Sequence, residues 1–355
     1  MSRIHGHAAG GAFVALALAL SGAGCGSRSR PAEETFTSMG TYASVMVPAE
    51  EKGILPRDAA LAKRTLDEAE ASMSLYRPDS ELNRLNRSAG LGPQRVSEHL
   101  YQVLAQAGFF SAASGGAFDV TVTPLLRLWG FSGGRVPDAL PSDDELERAA
   151  DLTGFRHLVL SDGTVSLERR GMQIDLGGIA KGFGVDLCAA ALKAQGSSNV
   201  LVNLGGNMLA LGCASGNRPW TIGVRNPFAR NGMLGAVALE SGRAVASSGN
   251  YERFVVIGGR RYAHIMDPRT RRPVEGMAGV TVLAPTATTA DALSTTLFVL
   301  GPEQSARLLA QMPGCEALFV PDRQPVTIRV TPGFAKTFTP ASEFAGCVSV
   351  LKPAP

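Results

Sequence analysis

The stretch FVVIGGRRYAHI, residues 254–265, constrains the fold most: two β-rich runs flank a glycine pair, the composition of a two-residue hairpin turn. A hairpin joins antiparallel neighbours, and the other strand-like runs are spaced irregularly. Residues 35–47 (TFTSMGTYASVMV) have strand character about a central glycine. HLVL, TVSL, NVLVNLGGN, PWTIGV, RAVASS, GVTVLAP, ALFV and TIRVT also read as strands. GGAFDVTVTPLLRLWGF shows β-branched alternation before a proline break, and MQIDLGGIAKG reads as a short apolar strand entering a glycine-rich turn and then a helix. Residues 58–73 and 97–113 carry helical spacing, a shorter helix is expected near 144–151, and another begins near Ala290. Helices and strands do not alternate as βαβ units, so the expected class is α+β, with mixed sheets and flanking helices.

The chain has 355 residues, 45% hydrophobic and 18% charged, enough apolar material for one large core. Its net charge is only +3 with both signs mixed along the chain, so a nucleic-acid partner is not expected. The first residues form an address. Arg3 and two histidines precede an apolar run over 8–20, which is too short to span a membrane and is followed by SGAGC. Residues 1–24 read as a signal peptide and Cys25 as the lipidated residue of a lipobox, although Gly22 stands where leucine is usual. Residues 25–34 are expected to be a polar tether and 35–348 the folded domain. Export permits disulfides, but Cys188, Cys213, Cys315 and Cys347 allow three pairings, and four small buried hydrophobes is an equal reading.

Four segments carry chemistry. In DLGGIAKG, glycines between strand and helix expose backbone groups, a helix N-terminus favours anions, and Lys181 lies where its ammonium reaches a phosphate. The bland reading is a tight turn. In ADALSTT, Asp291 and Thr295 are four apart and share one helix face, a carboxylate and a hydroxyl suited to Mg²⁺. Otherwise Asp291 is a charge placed near a helix start. In YAHIMDPRTRRP, His264 ends a strand beside a turn, and two of the chain's five histidines lie in the signal segment, which makes His264 the candidate general base. Read in isolation, it is more often a structural histidine. Met39, Tyr76 and Asp119 offer apolar cover and hydrogen bonds to a heterocycle, while Tyr76 and Phe118 would ordinarily be core residues.

Taken in order, MGTYASV, MSLYRPDSELNRLN, GGAFDVTVTPLLRLWGF, IDLGGIAKGFGVD, VNLGGN, SSGNYERF, HIMDPRTRRP and ADALSTTLFVLG resemble the bacterial FAD:protein FMN transferase family, called ApbE. The resemblance spans residues 39–301. It implies an ApbE-type fold with an FAD site in a cleft between subdomains, closed by Mg²⁺. FAD would be a substrate held by Met39, Tyr76, Ala117, Phe118, Asp119, Asp175, Lys181 and Ile265. Mg²⁺ would be held by the side chains of Asp291 and Thr295 and by backbone oxygens of Gly178 and Ser294. His264 matches the histidine proposed to deprotonate the acceptor, a Thr or Ser of a membrane redox subunit or exported flavoprotein. Family members are often lipoproteins, which implies an inner-membrane anchor facing the periplasm. Two departures stand out: Arg271 replaces the glycine of DPRTG, and SSGN, ending at Asn250, replaces TSGD. Hydrolysis of FAD to FMN and AMP, or storage of FAD without turnover, would use the same pocket.

Overall fold

The computed structural model describes residues 30–133, 136–251 and 253–352. The expected signal peptide and Cys25 lie outside the described residues. A nine-stranded sheet forms the spine, in the order β1 (Ala32–Ser38), β2 (Thr41–Val47), β6 (Val200–Leu204), β7 (Asn207–Leu211), β10 (Ala244–Gly249), β15 (Met277–Ala284), β16 (Glu316–Pro321), β17 (Ile328–Val330) and β19 (Val348–Val350). Every neighbouring pair is antiparallel except β17 and β19. Smaller sheets hold β3 (Gln94–Arg95), β5 (Thr164–Leu167) and β4 (Leu158–Ser161), and β18 (Phe338–Pro340), β9 (Met233–Leu239) and β8 (Trp220–Arg225). Two further pairs are β11 (Phe254–Ile257) with β12 (Arg260–Ala263), and β13 (Met266–Asp267) with β14 (Arg272–Pro273).

Alternation along the strands assigns each face of the sheet its own core. Val45, Val202, Leu204, Leu209, Ala246 and Val282 face α1 (Leu55–Met73), α3 (Glu98–Ala113), α6 (Ala180–Ala194) and α7 (Ala287–Leu309). Met46, Leu201, Met208, Val245 and Leu318 face the layer made by β8, β9, β18 and α8 (Pro332–Thr337). Leu55, Ala59, Ala62, Leu66, Ala69 and Met73 form the buried stripe of α1, and its alanines let the helix lie close to α6. A third cluster, with Leu125, Trp129, Leu146, Val255, Ile257 and Tyr262, joins α4 (Thr123–Leu128), α5 (Asp143–Asp151) and the β11–β12 hairpin. Ser80 caps α2 (Glu81–Arg87), Ser97 caps α3, Thr286 caps α7, and Ser142 with Glu145 closes a capping box on α5.

The molecule is therefore α+β with mixed sheets, as expected. The Gly258-Gly259 turn has φ of 58° and 80°, the left-handed pair that a two-residue hairpin turn requires. Several local expectations change. Strand β1 begins at Ala32, inside the segment expected as tether, because the Met39-Gly40 turn sets a ladder that pairs Ala32 with Val47. The domain's last strand runs to Val350, past the expected end at 348. Residues 118–122 are not a strand: Asp119 Oδ1 accepts from Thr121 N at 2.8 Å, closing a side-chain turn in place of a ladder. Residues 172–176 have no strand partner either. Ile174 N–H donates to Asn86 Oδ1 at 2.8 Å, Asn86 Nδ2 donates to Ile174 O at 3.0 Å, and Asp175 N–H donates to Val120 O at 2.8 Å, so a buried asparagine and a single backbone bond stand in for a neighbouring strand. The four described cysteines are all unpaired, with Cys188 and Cys315 buried.

Candidate active site

The site forms where α6 and α7 cross above the end of the central sheet. Ile179, at the N-cap of α6, has no side chain able to cap, so the helix's first N–H groups need an outside acceptor. Asp291, one turn into α7, supplies it: Gly182 N–H donates to Asp291 Oδ2 at 2.9 Å. The approach is possible because residue 182 is glycine, since a Cβ there would stand 2.2 Å from Ala287 O and 2.7 Å from Asp291 Cβ. The expected anion-favouring helix start is thus partly occupied by a protein carboxylate.

Asp291 is 5% exposed, and desolvation pushes its carboxyl above the usual range against the pull of the Lys181 charge and of backbone N–H groups. Lys181 Nζ lies 3.9 Å from Asp291 Oδ1 and donates to Gly177 O at 2.8 Å. Ser294 and Thr295 continue the same turn of α7. Ser294 Oγ is 2.8 Å and Thr295 Oγ1 3.4 Å from Ser248 Oγ on β10. Gly178 packs directly on Thr295, since a Cβ there would be 3.3 Å from Thr295 Oγ1 and 3.2 Å from Phe118 Cε2. Gly178, Asp291, Ser294 and Thr295 therefore lie together, and every donor they offer is an oxygen. One carboxylate and few protein ligands fit a hard divalent cation that also takes water and phosphate oxygens. Among the described residues no group of three or more His, Cys, Asp or Glu side chains could hold a metal.

Phe118 ties the 117–119 segment to this cluster. Ala117, Phe118 and Asp119 are buried, and Phe118 N–H donates to Ser114 Oγ at 3.1 Å. The Asp119 carboxylate is spent within the protein: Oδ1 takes Thr121 N and, at 2.6 Å, Thr121 Oγ1, and Oδ2 takes Phe155 N at 2.8 Å. Asp119 thus shapes the turn that presents Ala117 and Phe118. Asp175 accepts from Gly177 N at 2.7 Å and so shapes the glycine turn before α6.

Met39 lies at the tip of the β1–β2 hairpin with φ of 49°, a left-handed conformation unusual for methionine. Its N–H donates to Glu70 Oε2 at 2.9 Å, and its sulfur reaches α6 at Gly184, 3.4 Å from where a Cβ would stand. Tyr76 is 77% exposed, against the ordinary core reading, with its ring uncovered.

His264 enters from the other side, at the seam between the main body and the β11–β12 lobe: Ile265 belongs to the first and Met266 to the second. Its ring Nδ1 lies 3.2 Å from Arg253 O. A carbonyl only accepts, so Nδ1 carries the proton and Nε2 keeps its lone pair. Although the ring keeps an accessible edge, crowding by the surrounding protein first, then the charges of Arg253 and Lys181, push the imidazole down to about 4.

Arg253 was not singled out by sequence reasoning, though it lies in the SSGNYERF motif. Its guanidinium donates to Phe131 O at 2.9 Å and lies 3.5 Å from the Tyr76 hydroxyl, while its carbonyl holds His264. The two departures are accommodated. Arg271 keeps φ of 63°, held by its N–H on Asp267 O at 2.8 Å, by Trp129 Nε1 on its carbonyl at 3.1 Å, and by an ion pair with Glu147. Asn250 Nδ2 donates to Asp322 Oδ2 at 2.9 Å, where an aspartate would meet like charge. A cleft of about 490 Å³ beside the outer half of α7, with Arg269, Gln304 and Arg307 in its wall, is lined by none of the expected site residues.

A family profile described as the ApbE family matches residues 39–319. The chain is 37% identical over 281 residues to the "FAD:protein FMN transferase" of Vibrio cholerae, covering 78% of this chain and 84% of that relative. It is 39% identical over 276 residues to the protein of that name from Treponema pallidum, covering 73% and 76% respectively. Among solved structures, the ApbE protein of Thermotoga maritima superposes with a TM-score of 0.78 at 32% identity, over 87% of this chain and all of that one. The flavin transferase ApbE of Vibrio cholerae gives 0.75 at 31% identity, over 86% and 99%.

Proposed function

The chain belongs to the ApbE family, and from that premise we infer that it is an FAD:protein FMN transferase, moving FMN from FAD to a hydroxyl of a target flavoprotein and releasing AMP. The observation that carries this reading is the placement of Lys181 Nζ 3.9 Å from the buried Asp291, on the same stretch of α7 whose Ser294 and Thr295 meet Ser248. FAD lies against Met39, Tyr76, Ala117, Phe118 and Ile265. Asp119 and Asp175 shape the turns that receive it, and Lys181 offers its ammonium to the diphosphate. The donor set at Asp291, Thr295, Gly178 and Ser294 fits Mg²⁺, which when bound would neutralise diphosphate charge.

The hydroxyl oxygen of an acceptor Thr or Ser attacks the FMN-side phosphorus. A new P–O bond forms as the bond to the AMP phosphate oxygen breaks. His264 Nε2 takes the hydroxyl proton, with the tautomer fixed by the Arg253 carbonyl. Lys181 stabilises charge on the leaving AMP phosphate. Arg253 positions both the base and the Tyr76 side of the pocket.

We also place the chain at a membrane through lipid on Cys25, on the periplasmic side of the inner membrane. The support is the apolar run over 8–20 followed by SGAGC. Among the described residues no helix is long and apolar enough to cross a membrane. Cys25→Ala should leave the protein in the soluble fraction, and retention in membranes would contradict the anchor.

Nucleotide chromatography tests the activity. With FAD and Mg²⁺, AMP should appear only when a flavoprotein acceptor is added. AMP and free FMN forming at the same rate without acceptor would replace transfer by hydrolysis.

A further inference from the structure

The VNLGGN segment contributes none of the residues assigned above, yet its last residue is anomalous. Asn207, which opens β7, is 4% exposed; its amide nitrogen reaches only Leu204 O at 3.4 Å, and its Oδ1 has no partner. Buried polar side-chain atoms nearly always have a partner, so an orphaned acceptor needs an explanation.

Register locates the atom. Asn207 pairs with Leu204, which faces the helices, and paired residues share a face, so Asn207 also points toward them. Leu209 pairs with Ala244 and Met208 with Val245 on β10, so the ladder continued by one step sets Asn207 beside Ala246, two residues from Ser248. Helix α7 starts just after Ala284, the partner of Ala244, and runs to where Ser294 meets Ser248. Asp291 lies three residues before Ser294, about 4.5 Å back along the axis. That is the level of Ala246 and Asn207. From α6, a Cβ on Gly184 would stand 3.6 Å from Leu204 Cδ2, so this helix closes over the same spot. By this register Asn207 lies on the helix-facing side of the sheet, at the level of Asp291.

The unpaired atom is an acceptor, so it cannot face a phosphate oxygen. It needs an N–H, an O–H or a cation. Its strand neighbours, Leu204 and Ala246, offer no side-chain donor, and the ionisable side chain of α7 at this level is the Asp291 carboxylate. We propose that Asn207 Oδ1 is a further oxygen of the divalent-cation site, receiving the cation or one of its waters from below Asp291. The inference rests on the cation reading given under Proposed function.

The test uses the full chain, with Mn²⁺ as probe in saturating FAD without acceptor, followed by the electron paramagnetic resonance of free Mn²⁺. Asn207→Leu has nearly the same volume and removes the orphaned oxygen. It should keep or raise the melting temperature of the ligand-free protein while weakening Mn²⁺ binding at least about tenfold, the scale for loss of a supporting metal contact. Asn207→Asp should bind Mn²⁺ at least as tightly as the wild type. Wild-type Mn²⁺ affinity in Asn207→Leu overturns the proposal, and so does weakened FAD binding in that variant with metal chelated, which would assign the oxygen to a flavin hydroxyl. Asp291→Ala separates the two levels. If it loses Mn²⁺ while Asn207→Leu does not, only this inference fails; if neither loses it, or the wild type binds none, the cation reading fails as well.

Discussion

Asp186 and Asp291 cap each other's helices. Asp186 on α6 accepts from Ala287 N at 2.7 Å and Thr288 N at 2.8 Å, the first N–H groups of α7, while Asp291 on α7 accepts from Gly182 N at 2.9 Å in the first turn of α6. Each carboxylate answers the orphaned donors and positive dipole end of the other helix. Both carboxyls are raised mainly by burial, and each gains from its backbone donors in return. The crossing fixes Asp291 in place, with its second oxygen toward Lys181. The structural role and the cation-binding role proposed for Asp291 thus fall on one side chain, and they can be separated.

Asp291→Asn keeps an oxygen for Gly182 N but loses the charge. It should fold with a melting temperature near the wild type and lose transfer at least about a hundredfold, the scale for removing a group that stabilises transition-state charge. Asp291→Ala should lose the same activity and about a further 1 kcal/mol of stability, as for a deleted helix cap. Thermal unfolding paired with single-turnover assays checks both. Full activity in the asparagine variant would remove Asp291 from the chemistry.

Gly182→Ala puts a methyl group 2.2 Å from a backbone oxygen of α7. The helices must separate, at a cost of about 1–3 kcal/mol by the usual measure of overpacking. Urea unfolding should show a lower midpoint with an unchanged slope. An unchanged midpoint would contradict the close crossing.

The pH dependence follows from His264. Its imidazole is held near 4, so it is neutral and able to accept a proton across the whole range above that value. kcat/KM should stay level from pH 8 to below 6 and fall only as the pH approaches about 4. An acid limb between 6 and 7 that disappears in His264→Gln would contradict the burial-driven depression. Stability carries the same signature. The unfolded histidine titrates near about 6.5, so this contribution is complete above that pH and is lost as the pH falls through the folded value.

Arg271→Gly tests the departure in the DPRTR turn. The left-handed conformation costs a side-chain-bearing residue about 1 kcal/mol, which glycine recovers, while the Glu147 ion pair at the surface is worth less. The variant should be as stable as the wild type or slightly more so in thermal unfolding, with transfer retained. Arg271→Ala keeps the strain, loses the pair and should be the less stable of the two.

Legibility in the sequence tracked the range of the interactions. The Gly258-Gly259 hairpin and the α1 stripe follow from local pattern, and both are present. Residues 118–122 and 172–176 looked like strands because their side chains suit one. Their backbones bond instead to Asp119, close in sequence, to Asn86, 88 residues away, and once to each other, Asp175 N–H on Val120 O. Strand β9 escaped notice because glycine and alanine dilute its β-branched residues, and β18 and β19 have three residues each. In the candidate site, Asp291, Thr295 and Lys181 stood out by type and spacing. Asp186, Gly182 and Arg253 act through contacts between distant segments, so no local spacing marks them.

The most direct test is the intact mass of the acceptor. After incubation of the full chain with FAD, Mg²⁺ and an exported flavoprotein domain, the acceptor should gain the mass of FMN less water. The gain should vanish when its single modified Thr or Ser becomes Ala. An acceptor that keeps its original mass while FAD is split to FMN and AMP would contradict the account.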